Sequence, residues 1–358
     1  MTDDALARTL RFQAAICARF GSSFSAGFLE AAAADLEAGG PAVEMLRPFE
    51  GLTGEALFQN AATLRFLAAF HDLALSGEEP ALSAAYPGDG RPGNPARAWN
   101  AARAAAPRRM AALQAFMRHE PQTNETRRSA CLLGGFLEIA AATGLPLRCL
   151  ELGASAGLNQ SWDRFHYDLG SAGVWGPEES PVRIDTHWSG PPPPLAADVR
   201  VAGRAACDRA PIDVRVPENR RRLLSYIWAD QTERLALCRA AIEVAVANDV
   251  RVEAADAAAW TAAKAAPTPG FATVVYHSIF WQYLPPETLA ALVAAIEAHG
   301  AAATTEAPLA WLKMEPSFQD MTRIELRLTL WPGGEERLLA DVHAHGATVA
   351  WRGTIATV

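Results

Sequence analysis

LRCLELGASAGLN, Leu147–Asn159, is the stretch from which the fold is read. LRCLEL is a short apolar strand, and Gly153-Ala154-Ser155-Ala156-Gly157 is a tight turn of small residues leading into a helix. Small residues let a ligand approach backbone N–H groups at a helix N-terminus, where the dipole favours acceptors. Glu151, just before the turn, can reach a charged or hydroxylated ligand group.

The chain reads differently on either side of this stretch. Upstream, Leu6, Leu10, Ala14 and Cys17 recur at helical spacing, as do Leu57, Ala61, Leu64 and Ala68, and no strand is legible. Gly39-Gly40 stops one helix, and Gly144-Leu145-Pro146 closes the last. Downstream, VRVAGRAAC (Val199–Cys207), VRVEAA (Val250–Ala255), ATVVYH (Ala272–His277) and LAWLKM (Leu309–Met314) alternate with helical stretches, among them Glu218–Ala247. That alternation indicates a parallel sheet covered on both faces. Leu326, Leu328 and Leu330 alternate with polar residues, Trp331-Pro332-Gly333-Gly334 turns the chain, and Leu338–Trp351 returns as a hairpin. The expectation is an all-helical N-terminal region, 1–144, followed by a Rossmann-like α/β domain, 145–358. Its mostly parallel seven-stranded sheet ends in an antiparallel hairpin, and a Pro-rich insertion spans about 163–200.

Composition narrows the function. Of 358 residues, 50% are hydrophobic and 20% charged, enough to bury a sizeable core. A net charge of −8 disfavours a long nucleic-acid partner and leaves a small-molecule substrate. Cys17, Cys131, Cys149, Cys207 and Cys238 are scattered and never form Cys-x-x-Cys, so neither a disulfide framework nor a zinc knuckle is expected. Met1–Arg11 lacks an apolar leader core, and no stretch is long and apolar enough to span a bilayer. A cytoplasmic, membrane-independent protein is the expectation.

Three carboxylates stand at strand ends in chain order: Glu151 after the first strand, Asp208 after the second and Asp256 after the third. In dinucleotide-binding folds an acid at the second strand end hydrogen-bonds ribose hydroxyls, and ligands sit at the carboxyl edge of the sheet. Asp208 lies farther from Glu151 than the usual spacing of about twenty residues, an excess the Pro-rich insertion accounts for. The fourth strand ends at His277-Ser278, where an imidazole can act as a general base. A hydrogen-bonded core histidine is an equal reading. Asn124 and Glu125, before the helix that enters the first strand, are read as a helix cap or as substrate-facing residues. Trp162, Tyr167 and Trp281 are packing residues first and pocket walls second, with Asp163 beside them.

The acid-x-Gly-x-small-x-Gly run of Glu151–Gly157 resembles class I S-adenosylmethionine-dependent methyltransferases. Five blocks together resemble the bacterial family termed domain of unknown function 2332. They are QTNETRRSA (Gln122–Ala130), LELGASAGLNQSWDRFHYDLG (Leu150–Gly170), CDRAPIDV (Cys207–Val214), YHSIFWQYLP (Tyr276–Pro285) and DVHAHGATVAW (Asp341–Trp351). The resemblance spans nearly the whole chain and brings no substrate with it. The methyltransferase likeness implies S-adenosylmethionine as cofactor and methyl transfer to an unidentified acceptor. Gly153, Ala154, Ser155, Gly157 and Asn159 would approach its amino-acid part, Asp208 its ribose and Asp256 its adenine. His277 would deprotonate or orient the acceptor, with Ser278 beside it.

Two other readings stay open. A catalytically degenerate protein of the same fold would hold such a ligand without turnover. GASAG also satisfies Gly-x-Ser-x-Gly, the nucleophile elbow of serine hydrolases, with Ser155 as nucleophile and Asp256 plus His277, His343 or His345 as partners. Against it, an elbow strand normally follows several others, and here it is the first. His343-x-His345 has metal-pair spacing without a third ligand nearby, so no metal is expected.

Overall fold

Among the described residues every strand lies from Leu147 onward, as the apolar patterning indicates. The computed structural model describes residues 2–88 and 90–353. By contact the chain forms two compact units, one of Met1–Thr123 with Arg215–Arg239, the other of Asn124–Val214 with Ala240–Val358.

The first unit holds helices α1 (Thr2–Arg19), α2 (Ser23–Glu37), α3 (Ala42–Leu46), α4 (Gly54–Gln59), α5 (Ala62–Ser76), α6 (Pro80–Ala85) and α7 (Pro95–Met117). An aromatic cluster forms its core: Phe28 meets Trp99 edge-on at 5.3 Å and Phe70 at 5.5 Å, the electrostatically preferred geometry. The stretch Glu218–Ala247, expected as one helix, is broken. It comprises α9 (Pro217–Ser225) and α10 (Thr232–Ala247), with Asp230 in the break. There the Asp230 carboxylate accepts the Phe24 N–H at 2.9 Å and the Ser22 hydroxyl at 2.5 Å. It thereby satisfies a donor at the start of α2 that no residue of that helix caps.

The second unit is built on a nine-stranded sheet. In chain order the strands of this unit are β1 (Leu147–Leu152), β2 (His166–Asp168), β3 (Val174–Trp175), β4 (Arg183–Asp185), β5 (His187–Ser189), β6 (Val201–Asp208), β7 (Glu253–Ala254), β8 (Ala272–Ser278), β9 (Leu309–Pro316), β10 (Ile324–Trp331), β11 (Glu336–Val342) and β12 (Thr348–Trp351). Strand order is β5-β12-β11-β10-β9-β8-β1-β6-β7. From β7 to β9 all neighbours are parallel; β9 to β12 form an antiparallel meander, to which β5 adds in parallel. The seven strands expected are thus nine, because β10–β11–β12 continues past one hairpin and the insertion supplies β5. The rest of that insertion makes a separate small sheet, β3-β2-β4.

Helices cover both faces. Leu309 and Trp311 of β9 pack with Leu292 and Ile296 of α12 (Pro286–Ala301) and with α11 (Ala257–Lys264). Leu312, on the opposite pleat, meets α8 (Arg128–Thr143), where a Cβ on Gly135 would fall 2.3 Å from its Cδ1. Burial on both faces explains why β1 and β8 read as near-continuous apolar runs. Helix α8, counted with the helical region on sequence, groups with the sheet. Among the described residues no helix is long and apolar enough to cross a membrane.

Candidate functional site

Strand order reverses at β1: the chain proceeds to β6 and β7 on one side, then returns to place β8 on the other. In open α/β sheets the crevice at the carboxyl ends of such a pair is where ligands bind. The turn Gly153–Gly157 leaves β1 at that point, and Ile279-Phe280-Trp281 leaves β8 beside it.

The β1 turn is held largely by internal bonds. Ser155 adopts a left-handed conformation, φ +54°, uncommon for a residue with a side chain. Its N–H donates to Asp208 at 2.8 Å, and Asp208 also accepts the Ala210 N–H at 2.9 Å. Ala154 N–H donates to the Cys207 carbonyl at 3.1 Å. After Gly157 (φ +72°) the chain enters two short 3-10 turns within Leu158–Arg164, kinked at Ser161, where a continuous helix is expected. The first N–H, on Leu158, is taken by the Asn124 side chain at 2.8 Å, and the Asn159 amide donates to the Glu125 carbonyl at 3.3 Å. Asn124 therefore caps the turn after β1, while α8, with Arg127 at its N-cap position, has no side-chain cap. A short helix with a filled N-terminus cannot supply the dipole-and-donor site the sequence suggests.

Two polar atoms in the turn stay unsatisfied. Ser155 Oγ and Asn159 Oδ1 are buried and have no hydrogen-bond partner among the described residues. Buried polar groups nearly always find a partner, which sets these two atoms apart from the rest of the turn. Ser155 has no histidine on its hydroxyl, the contact a hydrolase needs.

The three acids differ in presentation. Glu151 is 5% exposed and accepts the Tyr276 hydroxyl at 3.3 Å; burial pushes its carboxyl up to about 8. Asp208 is half-buried at the end of β6. Asp256 is exposed after β7 and caps α11 through the Ala259 N–H at 3.0 Å.

His277 is buried within a closed set. Trp311 Nε1–H donates to its Nε2 at 3.0 Å, and its Nδ1 lies 2.6 Å from Glu315 Oε1. An indole nitrogen only donates, so Nε2 is the acceptor and Nδ1 carries the proton toward Glu315. In this arrangement Nε2 has no free lone pair, so of the two readings of His277 the geometry favours the hydrogen-bonded core histidine over the general base. Glu315 also accepts the Phe280 N–H at 2.9 Å and the Trp281 N–H at 3.3 Å, so one carboxylate organises the whole β8 turn. Sequence reasoning missed it; its partners lie 34 to 38 residues away. Ser278 is anchored through its carbonyl, 3.3 Å from an Arg128 guanidinium nitrogen.

The candidates on the substrate side separate. Trp162 is fully buried and stacks on Phe136 at 4.0 Å, and Tyr167 donates its hydroxyl to the Trp162 carbonyl at 2.7 Å; both are core. Arg204 Nη2 donates to both carboxylate oxygens of Asp163, at 2.7 and 2.9 Å. Glu125 pairs with His345, 3.3 Å from its Nδ1. Trp281 lines a cleft of about 170 Å³, shared with Lys313, Glu315, Ser317, Phe318 and Arg327. The Lys313 ammonium sits 4.2 Å from the Trp311 ring and 5.0 Å from the Trp281 ring, at cation–π distance, and pairs with Glu336.

Between turn and cleft stands Phe280. A Cβ on Gly153 (φ +63°) would fall 2.3 Å from Phe280 Cδ2, so the missing side chain is replaced by the protein's own ring.

The chain belongs to the family described as "Uncharacterized protein conserved in bacteria (DUF2332)", whose model matches residues 7–351. No curated protein matches the chain, and no solved structure matches it.

Proposed function

We propose that the second unit binds S-adenosylmethionine, or a ligand sharing its adenosyl part, at the carboxyl edge of β1, β6 and β7, and transfers its methyl group to a small acceptor. One observation carries this reading. At the point of strand reversal, Ser155 is held left-handed by Asp208 from the next strand end, with its own buried hydroxyl unpartnered among the described residues. The residues fit the group in most respects. Asp208 and Asp256 end adjacent strands, as ribose and adenine contacts require. Ser155 Oγ and Asn159 Oδ1 offer polar contacts where the backbone N–H groups are already used. Phe280 is the exception, since its ring fills the crevice.

When bound, such a cofactor supplies an electrophilic methyl carbon on a sulfonium. The chain's part is then alignment and exclusion of water, which needs few ionisable residues. The engagement of His277 is therefore compatible with methyl transfer to an acceptor that is already nucleophilic. That engagement also favours a second reading, a protein that holds the ligand without turnover.

Calorimetry with S-adenosylmethionine and S-adenosylhomocysteine tests the proposal. Binding that weakens in Asp208→Ala and Ser155→Ala supports it; absence of binding at millimolar ligand defeats it. Transfer of label from S-adenosylmethionine to small nucleophiles then separates the two readings.

A further inference from the structure

Phe280 and Trp281 are consecutive, yet Phe280 covers Gly153 in the crevice while Trp281 walls the cleft over Lys313. The residue before them, Ile279, has φ +50°. A β-branched residue in the left-handed region is a true outlier, and such conformations persist only where surrounding contacts impose them. The contacts are present. Ile279 N–H donates to the Met314 carbonyl at 2.8 Å, and Glu315 takes the next two N–H groups. Strained, clamped backbone of this kind concentrates at switches and ligand clamps.

We propose that Phe280 is a plug: the strained turn Ile279–Trp281 withdraws its ring from the β1–β8 crevice when a ligand enters, and the same movement carries Trp281 and reshapes the cleft. The proposal rests on the ligand site argued above and adds how that site is opened. Its physical basis is exclusion, since two groups cannot share the space over Gly153. The clamp makes the turn bistable: Glu315 can hold the two N–H groups, or release them if the ligand supplies the stabilisation. The cleft next door is equipped to respond. Phe318, 79% exposed, lies 5.3 Å from the Trp281 ring, and the Trp281 indole N–H has no partner among the described residues. An acceptor occupying that cleft would meet a repositioned Trp281 once the crevice had filled, which couples the two binding events.

The test is calorimetry with S-adenosylhomocysteine on the wild type, Phe280→Ala and Phe280→Leu, with tryptophan fluorescence followed in wild type and Trp281→Phe. Removing the plug should tighten binding by about tenfold or more, the penalty lifted when an open state populated at about 10% or less becomes the resting one. Phe280→Leu keeps an apolar side chain and covers the case in which alanine fails to fold. The ligand-induced fluorescence change of the wild type should disappear in Trp281→Phe. Equal or weaker binding in both Phe280 variants, with wild-type binding intact, overturns the plug and leaves the ligand site standing. A fluorescence change that survives Trp281→Phe overturns the coupling to the cleft. If neither wild type nor variants bind, the ligand site itself fails and takes the plug with it.

Discussion

His277 Nδ1 lies 2.6 Å from Glu315 Oε1, with both side chains buried. The pair, completed by the Trp311 indole, ties β8 to β9 at the edge where a ligand would sit. Its first consequence is structural. His277→Ala removes one partner from a buried carboxylate and one from a buried indole N–H, each costing about 1–3 kcal/mol. Urea denaturation should therefore show a loss of about 3 kcal/mol or more. A variant as stable as wild type but without turnover would return His277 to the role of an acid–base group.

Gly153 and Phe280 should be energetically coupled. Gly153→Ala places a methyl group against the Phe280 ring and imposes a left-handed conformation on alanine, which alone costs about 1–2 kcal/mol. Phe280→Ala vacates that space. A double-mutant cycle should give a coupling of about 0.5–3 kcal/mol, with the double variant more stable than additivity allows. Strict additivity would mean the two groups do not compete for one volume.

Glu151 should make stability fall with rising pH. Folded Glu151 keeps its proton up to about 8, because burial penalises the carboxylate, whereas the unfolded chain releases it near 4.5. Its contribution is complete below the unfolded value and is lost as pH rises through the folded one, at about 1.4 kcal/mol per unit between them. Glu151→Gln stays neutral throughout and can still accept the Tyr276 hydroxyl. Thermal melts from pH 5 to pH 8 should show a shallower decline for the glutamine variant. Parallel slopes would mean that Glu151 is ionised in the folded protein.

Asn124 ties the loop before α8 to the turn after β1. Its carboxamide oxygen takes the Leu158 N–H, an N-terminal cap supplied from 34 residues away. Asn124→Ala should cost about 1 kcal/mol, as lost caps do, and Asn124→Asp should retain most of it. Equal losses in both variants would indicate that the amide nitrogen, not the oxygen, does the holding.

What was legible follows from the range of the forces involved. The LRCLEL strand, the β8 and β9 runs and the helical N-terminal region announce themselves because apolar periodicity is local. Burial on two faces leaves the same mark on β1 wherever it pairs. The candidate site is different. Glu315 organises His277, Phe280 and Trp281 through a pairing of β8 with β9 that no local pattern encodes, and an acid inside LAWLKMEP reads as an ordinary strand end. The glycines of GASAG were read as room for a ligand; Phe280, more than a hundred residues on, takes that room. The insertion was legible as an interruption by its prolines, but its β5, which joins the far edge beside β12, was not.

Asp163 and Arg204 provide the last case, where charge and burial oppose each other. A single guanidinium nitrogen, Nη2, donates to both carboxylate oxygens, and burial outweighs Arg204 and leaves the Asp163 carboxyl above its ordinary range. One guanidinium nitrogen, Nη1, is buried without a partner among the described residues, which adds a further cost. An ion pair bought at such desolvation adds little net stability, though breaking it by halves is expensive. Asp163→Ala should therefore destabilise by about 1–3 kcal/mol, by leaving a half-buried Arg204 uncompensated. The double replacement Asp163→Leu with Arg204→Met should recover most of that loss. If the double variant is as unstable as the single one, the pair stabilises the fold outright, and the geometry outweighs the burial.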